Sequence, residues 1–273
     1  MRLIENGGLL QFWSGDRLAG AYRADDPHKP HLAKLRTPAG HDLVVCRPHD
    51  HPHHKGAQFG LRTTDLNFWE ERANDANPTP VGRQSPRPLA VTSAWGAVAG
   101  FEQELLWCAE DGSLPTFREV RRIHCEDTGS GFRWTWRVAL EPLRDVELAM
   151  SVWSMARPDG RKVNYDGLGF RLRRDFSGTG GNELALDGRP TGFAEALGQT
   201  PARVAFTGRI DETTPVRRVT LALEQTRAGA LFTVENPFAW VSVGPSNAGP
   251  VRWVRGVTWE ETYTFTVSDA PCL

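Results

Sequence analysis

Between residues 131 and 140 the chain alternates: Phe132, Trp134, Trp136, Val138 and Leu140 are apolar, with Arg133, Thr135, Arg137 and Ala139 between them. Successive side chains of a strand point to opposite faces, so this period of two predicts a strand with one heavily apolar face. Residues 101–108 and 116–125 precede it. They are joined to each other across Glu110-Asp111-Gly112-Ser113 and to it across Asp127-Thr128-Gly129-Ser130-Gly131, turn chemistry that predicts an antiparallel meander.

The same grammar runs through the rest of the chain. From Leu9 to Thr37 short apolar pieces are separated by Ser14-Gly15-Asp16 and Asp25-Asp26-Pro27, and a further strand is expected over 42–46. Strand pattern resumes at 57–62, gives way to a polar loop over 74–88, and is expected to return as a long strand over 144–155. In the last third, 203–210, 217–224, 230–234, 239–243 and 257–267 all read as strands, and only 191–197 hints at helix. With no break in composition, the expectation is one all-β domain spanning 1–273, a large antiparallel two-sheet β-sandwich.

Composition narrows the function classes. A formal charge of −1 over 273 residues gives no electrostatic case for nucleic acid or an acidic membrane surface. No apolar run is long enough to span a bilayer, and the N-terminus lacks the layout of a secretory signal, so the expected location is cytoplasmic. Cys46, Cys108, Cys125 and Cys272 include no C-x-x-C pair and read as reduced thiols. Ten tryptophans and thirteen phenylalanines supply a sandwich core, with some rings left over to stack on a sugar.

The candidate chemistry is concentrated in Arg47-Pro48-His49-Asp50-His51-Pro52-His53-His54-Lys55-Gly56, which holds half of the eight histidines. A stretch so ionisable is costly to bury without a task. One reading has His51 and His54 as general acid and base, Asp50 orienting an imidazole, and Arg47 and Lys55 stabilising negative charge. In a second, His49, His51 and His53 share a face of an extended segment and, with His54, recruit a divalent metal, the ligand set being His49, His51 and His54. The third is a solvated histidine-rich loop. Asn67, Trp69 and Glu70 stand close enough in sequence to join the same pocket, with Trp69 as a stacking face. Asn164, Tyr165 and Arg171 are placed to bind hydroxyls, beside Gly167 and Gly169, which permit close approach of a ligand or a neighbouring strand. Glu235 is the candidate second carboxylate.

Asp50-His51-Pro52-His53-His54-Lys55-Gly56, followed by Asn67-Phe68-Trp69 and later by an Asn164-Tyr165-Asp166-Gly167 element, resembles the bacterial PmoA-like family. That resemblance implies a supersandwich similar to galactose mutarotases, a sugar held in a groove, and acid–base work by His with a carboxylate. Where the mutarotases carry a catalytic Glu near the C-terminus, this chain reads Gly244-Pro245, which implies either that Glu235 substitutes or that the mutarotase reaction is absent. The expected function is a carbohydrate-active enzyme (epimerase, lyase or hydrolase) acting on a small-molecule sugar, with a non-catalytic sugar-binding module as the alternative. Neither a nucleic acid nor a membrane is an expected partner, and a homo-oligomer stays open.

Overall fold

This computed structural model describes residues 1–178, 182–227 and 229–269, with side chains for all of these but 91–95; Cys272 lies outside the described residues. Strand makes up 52% of the molecule and helix 3%. The β-sandwich expected from the alternating pattern is what forms. An eight-stranded antiparallel sheet runs Arg2–Asn6, Leu9–Ser14, Arg17–Arg23, His31–Leu35, Ala57–Gly60, Gly167–Arg171, Trp240–Val243 and Leu231–Val234. The second sheet has ten strands. At its centre lies the meander Val98–Ala109, Phe117–Asp127 and Phe132–Pro142, followed on one side by Trp259–Ser268 and Arg217–Gln225. Residues 191–197 condense to a single helical turn, Phe193–Ala196. Among the described residues no helix is long and apolar enough to cross a membrane.

The inward face of Phe132–Pro142 is the apolar one: Phe132, Trp134, Trp136, Val138 and Leu140 are fully buried. Across the sandwich Phe12 meets Trp134 edge-on at 4.8 Å, Tyr22 meets Phe101 at 4.7 Å, and Phe170 meets Phe265 at 5.0 Å. Each such ring contributes about 1.5–3 kcal/mol when fully withdrawn from water.

The strand Phe117–Asp127 breaks the apolar rule with a buried ion pair. The inward positions of Phe117–Asp127 include Glu119 and Arg121, both without solvent exposure. Arg121 donates to Glu119 (2.6 and 2.9 Å), to the Tyr22 hydroxyl (3.2 Å), the Pro30 carbonyl (2.9 Å) and Gln84 (3.0 Å), while Trp107 donates to Glu119 at 2.8 Å. Tyr22 belongs to the other sheet, so this satisfied polar cluster ties the two layers together at one register.

The region 144–155 departs from expectation. Only Val146–Leu148 is extended there, pairing with Val251–Trp253, and a second short piece follows at Met155–Ala156. The cause is polar: Asn164 Oδ1 accepts from the Ser151 amide at 2.8 Å and Ser151 Oγ accepts from the Trp153 amide at 3.1 Å, which curls 151–154 into turns. Residues 42–46 likewise make isolated bridges, Arg36 with Asp42, Val44 with Leu172 and Cys46 with Lys55, rather than a continuous strand.

Removing the counter-charge of Arg121 leaves a buried guanidinium uncompensated. Glu119→Gln is expected to lower stability by roughly 3–5 kcal/mol, read as a reduced urea midpoint at unchanged slope. A loss below about 1 kcal/mol would contradict the tie between the sheets.

Candidate functional site

The histidine run leaves the sheet at Cys46 and re-enters it at Ala57. Its ends are closed by the Arg47 amide donating to the His54 carbonyl (2.7 Å) and by the Cys46–Lys55 bridge. Two turns fill the interval, with the His51 amide on the Pro48 carbonyl (3.1 Å) and the His54 amide on the His51 carbonyl (2.9 Å). Gly56 ends the run at φ +71, and the Leu32 carbonyl sits where a Cβ would stand, so both conformation and space call for glycine. Arg47 is also held at positive φ, +53, a conformation that costs a non-glycine residue energy and is here fixed by its hydrogen bond to His54.

The loop forms one wall of a cleft of about 660 Å³. His51, His53 and His54 line that wall, and Tyr165, Phe232, Phe238 and Trp240 line the apolar side. Arg171, 1% exposed at the end of Gly167–Arg171, organises the wall from behind. Its guanidinium donates to Asp50 Oδ2 (2.8 Å) and His54 Nδ1 (2.9 Å) and lies 4.0 Å from the centre of the Phe238 ring. Arginine has no acceptor, so Nδ1 of His54 accepts and the ring proton sits on Nε2. Burial, reinforced by His53 and His51, pushes the His54 pKa well below the ordinary imidazole value. His54 is therefore a neutral imidazole of fixed tautomer.

His51 stands in a different environment. Its ring stacks on His54 at 4.7 Å and 14°, its side chain keeps 33% of its exposure, and Nδ1 lies 3.2 Å from Asp50 Oδ2, off the line of a full hydrogen bond. Partial burial raises the Asp50 pKa, but Arg171 and His51 outweigh it and hold the carboxyl well below its usual range. Arg174 reaches the other Asp50 oxygen at 2.9 Å. Burial depresses His53 to about 3.

The other residues singled out in the sequence divide between cleft and support. Arg47 and Tyr165 line the cleft. Lys55 is fully buried, its ammonium paired with Asp26 and Glu71. Trp69 is 1% exposed and packs edge-on against Tyr165 (5.3 Å) and Trp240 (5.5 Å), so it braces the aromatic wall from inside. The exposed ring on the cleft is Trp153, at 53%, which the expected strand over 144–155 obscured. Asn67 accepts from the amides of Trp69 (2.9 Å) and Glu70 (3.1 Å), and Asn164 holds the 151–154 turns. Both are buried and bind the protein's own backbone. Gly169 allows a neighbouring strand to approach, because the rings of Trp240 and Trp69 cover it.

Glu235 is half-buried at the end of Leu231–Val234 and does not line the cleft, although its neighbours Asn236 and Pro237 do. The cleft carboxylates are Glu70 and Glu71. Glu70 accepts from Arg62 (3.2 Å), Asn67 (3.1 Å), Asn77 and the Tyr165 hydroxyl (3.4 Å). Beside Gly244, the Asp166 carboxyl fills the space a side chain would need; burial raises its pKa to about 7. For a metal, His49, His51 and His54 are not brought together as a ligand set: among the described residues no group of three or more His, Cys, Asp or Glu is arranged to hold one. His49 points to Arg174 (3.3 Å), and the His54 Nδ1 lone pair is already taken by Arg171.

The buried imidazoles set an acid limit. His31, depressed to about 4 by burial, and His53, at about 3, have folded pKa values below their unfolded value of about 6.5. Such groups stabilise the fold above the unfolded value, and that stabilisation is lost as pH falls through about 6.5 toward 4. Asp166, raised, acts in the opposite sense between about 3.8 and 7 but is one group against several. The denaturation midpoint is expected to fall between pH 7 and about pH 4.5; a flat or rising profile would contradict neutral, buried histidines.

No curated protein matches the chain. Among solved structures it is similar to a galactose mutarotase-like protein from Clostridium acetobutylicum, at 10% identity over 96% of this chain and 95% of that one, with a TM-score of 0.49. It is also similar to a galactose mutarotase-like protein from Lactobacillus casei, at 10% identity over 97% and 99% with a TM-score of 0.41. A third is a GH36 alpha-galactosidase from Geobacillus stearothermophilus, at 8% identity over 96% of this chain and 41% of that one, with a TM-score of 0.44. Likenesses at this level leave function to be read from the site. The family described as "Family of unknown function (DUF6807)" matches residues 10–270, and the PmoA-like name expected from the Asp50–Gly56 motif is not supported. By that match the chain belongs to the family of unknown function DUF6807.

Proposed function

We propose that the cleft binds a sugar or sugar derivative and transfers a proton at it, with His51 as the acid–base group and His54 as a hydrogen-bond donor. The observation that carries this is the His51–His54 stack on the cleft wall, with one imidazole half-buried and the other buried, neutral and fixed by Arg171. A titratable imidazole within reach of a substrate hydroxyl can take its proton and return it elsewhere. A neutral Nε2–H beside it stabilises the oxygen on which negative charge builds. Asp50, itself held by two arginines, is a positioning residue for His51. The aromatic side of the cleft, extended by the exposed Trp153, suits the apolar face of a pyranose ring.

The state of the carboxylates selects among reactions. Glycoside hydrolysis ordinarily uses two carboxyl groups, one of them protonated. Here Glu70 is saturated with donors and Glu71 is ion-paired with Lys55 and, at 3.6 Å, with Arg47. That favours an epimerase-like or mutarotase-like exchange run by imidazoles over hydrolysis. The same ion pairing also suits a second reading, a binding module in which the histidines only hold the sugar.

Exchange spectroscopy by proton NMR on aldoses, keto-sugars and uronic acids separates the two. Catalysis predicts anomer or epimer exchange faster than in buffer, and His51→Ala is expected to lower kcat/KM by about 10²–10⁴-fold. Saturable binding without exchange would favour the binding module. Neither binding nor exchange with any sugar would overturn the proposal.

A further inference from the structure

The ionic pairing around the cleft is unequal. Asp50 faces two guanidiniums, from Arg171 at 2.8 Å and Arg174 at 2.9 Å. Asp26 and Glu71 share the buried Lys55 ammonium, and Glu70 is met by Arg62 at 3.2 Å. Asp26 and Glu71 are two carboxylates on one ammonium, and Arg47 supplies the second cation, 3.9 Å from Asp26 and 3.6 Å from Glu71. With it every acidic side chain named at the site is matched, Asp50 has one guanidinium in excess, and one cleft arginine is left over. Arg72 lines the cleft, is exposed, and makes no ion pair among the described residues. His28, on the same side, adds no charge to this balance: burial lowers its pKa and favours the neutral imidazole.

Arg47 is not a casually placed surface side chain. Its backbone is kept at φ +53 by the hydrogen bond to the His54 carbonyl, the same residue whose ring faces the cleft. That backbone fixes where the Arg47 side chain leaves the loop, and its guanidinium lines the cleft. In a chain whose formal charge is −1, a local positive surplus at a cleft is a property of the cleft.

Building on the sugar reading above, we propose that the substrate carries an anionic substituent, a carboxylate or a phosphate, which Arg72 and Arg47 receive at the rim while the pyranose lies along the aromatic wall. Guanidinium groups match both anions through paired N–H donors. Arg72 is the specificity-determining residue: it alone has its full charge unpaired.

The test is calorimetric titration of the full chain with galactose, galacturonate and galactose 6-phosphate, and with the corresponding glucose series, at low and high salt. At low salt an anionic member of a series is expected to bind about fivefold to tenfold tighter than its neutral counterpart. The gap should narrow at high salt, and Arg72→Gln should bring the ratio toward one. Arg72 is exposed, so folding is not at stake in that variant. The acid or the phosphate ester showing the preference identifies the anion. Neutral and anionic sugars binding equally, or an Arg72→Gln protein that keeps the preference, would overturn this inference and leave the sugar reading standing. If no sugar of either series binds, the sugar reading falls and this inference with it.

Discussion

The site depends on one buried guanidinium. Arg171 enters from the middle of a sheet, with 1% exposure, and its two arms meet Asp50 and His54 while its plane rests on Phe238. A cation buried to this degree is tolerated only when paired and hydrogen-bonded. Those partners belong to a loop with no regular structure of its own. Its conformation is fixed from outside by Arg171 and from within by turns at Pro48 and His51. From that constraint follow the tautomer of His54, the stacking of His51 on it, and the difference in accessibility between two histidines only three positions apart.

The scaffold uses the same device on a larger scale. Arg121 and Glu119, inside the sandwich, bring Tyr22 and Pro30 of one layer to Gln84 and Trp107 of the other. A sandwich held by aromatic packing alone tolerates small slips between layers, because apolar contact is not directional. A saturated ionic cluster does not. The eight-stranded sheet is thereby held in register. Its strands His31–Leu35, Ala57–Gly60 and Gly167–Arg171 lead to the cleft, so the network inside the sandwich helps set where the histidine loop stands.

Period two in 131–140 and the turns at Asp111-Gly112 and Asp127 to Gly131 made the meander legible, because alternation and turn chemistry are local signals. The histidine run was legible as a place, since so many ionisable side chains in ten residues imply a shared role. Their separate roles were not: burial in the assembled sheets makes His54 neutral, and what fixes its tautomer is Arg171, 117 positions away. The same reason leaves Trp69 buried and Trp153 exposed on the cleft. Sequence shows two tryptophans near polar residues, whereas burial decides which one meets solvent, and burial is a property of the assembled sheets. Glu119 and Arg121 were read as part of an ordinary strand because their pairing partners lie on other elements. Asn67 looked like a pocket residue and Asn164 like a ligand for hydroxyls, yet the side-chain oxygen of each is taken by backbone amides of irregular loops.

The division of labour between the two stacked histidines is the claim on which the functional account rests. Long-range proton–nitrogen NMR spectra of the imidazole rings, recorded from about pH 8 to about pH 5, read it directly. The account predicts that His54 keeps a protonated Nε2 and an unprotonated Nδ1 throughout this range. A His54 ring protonated on Nδ1, or converted to imidazolium within it, would contradict the account.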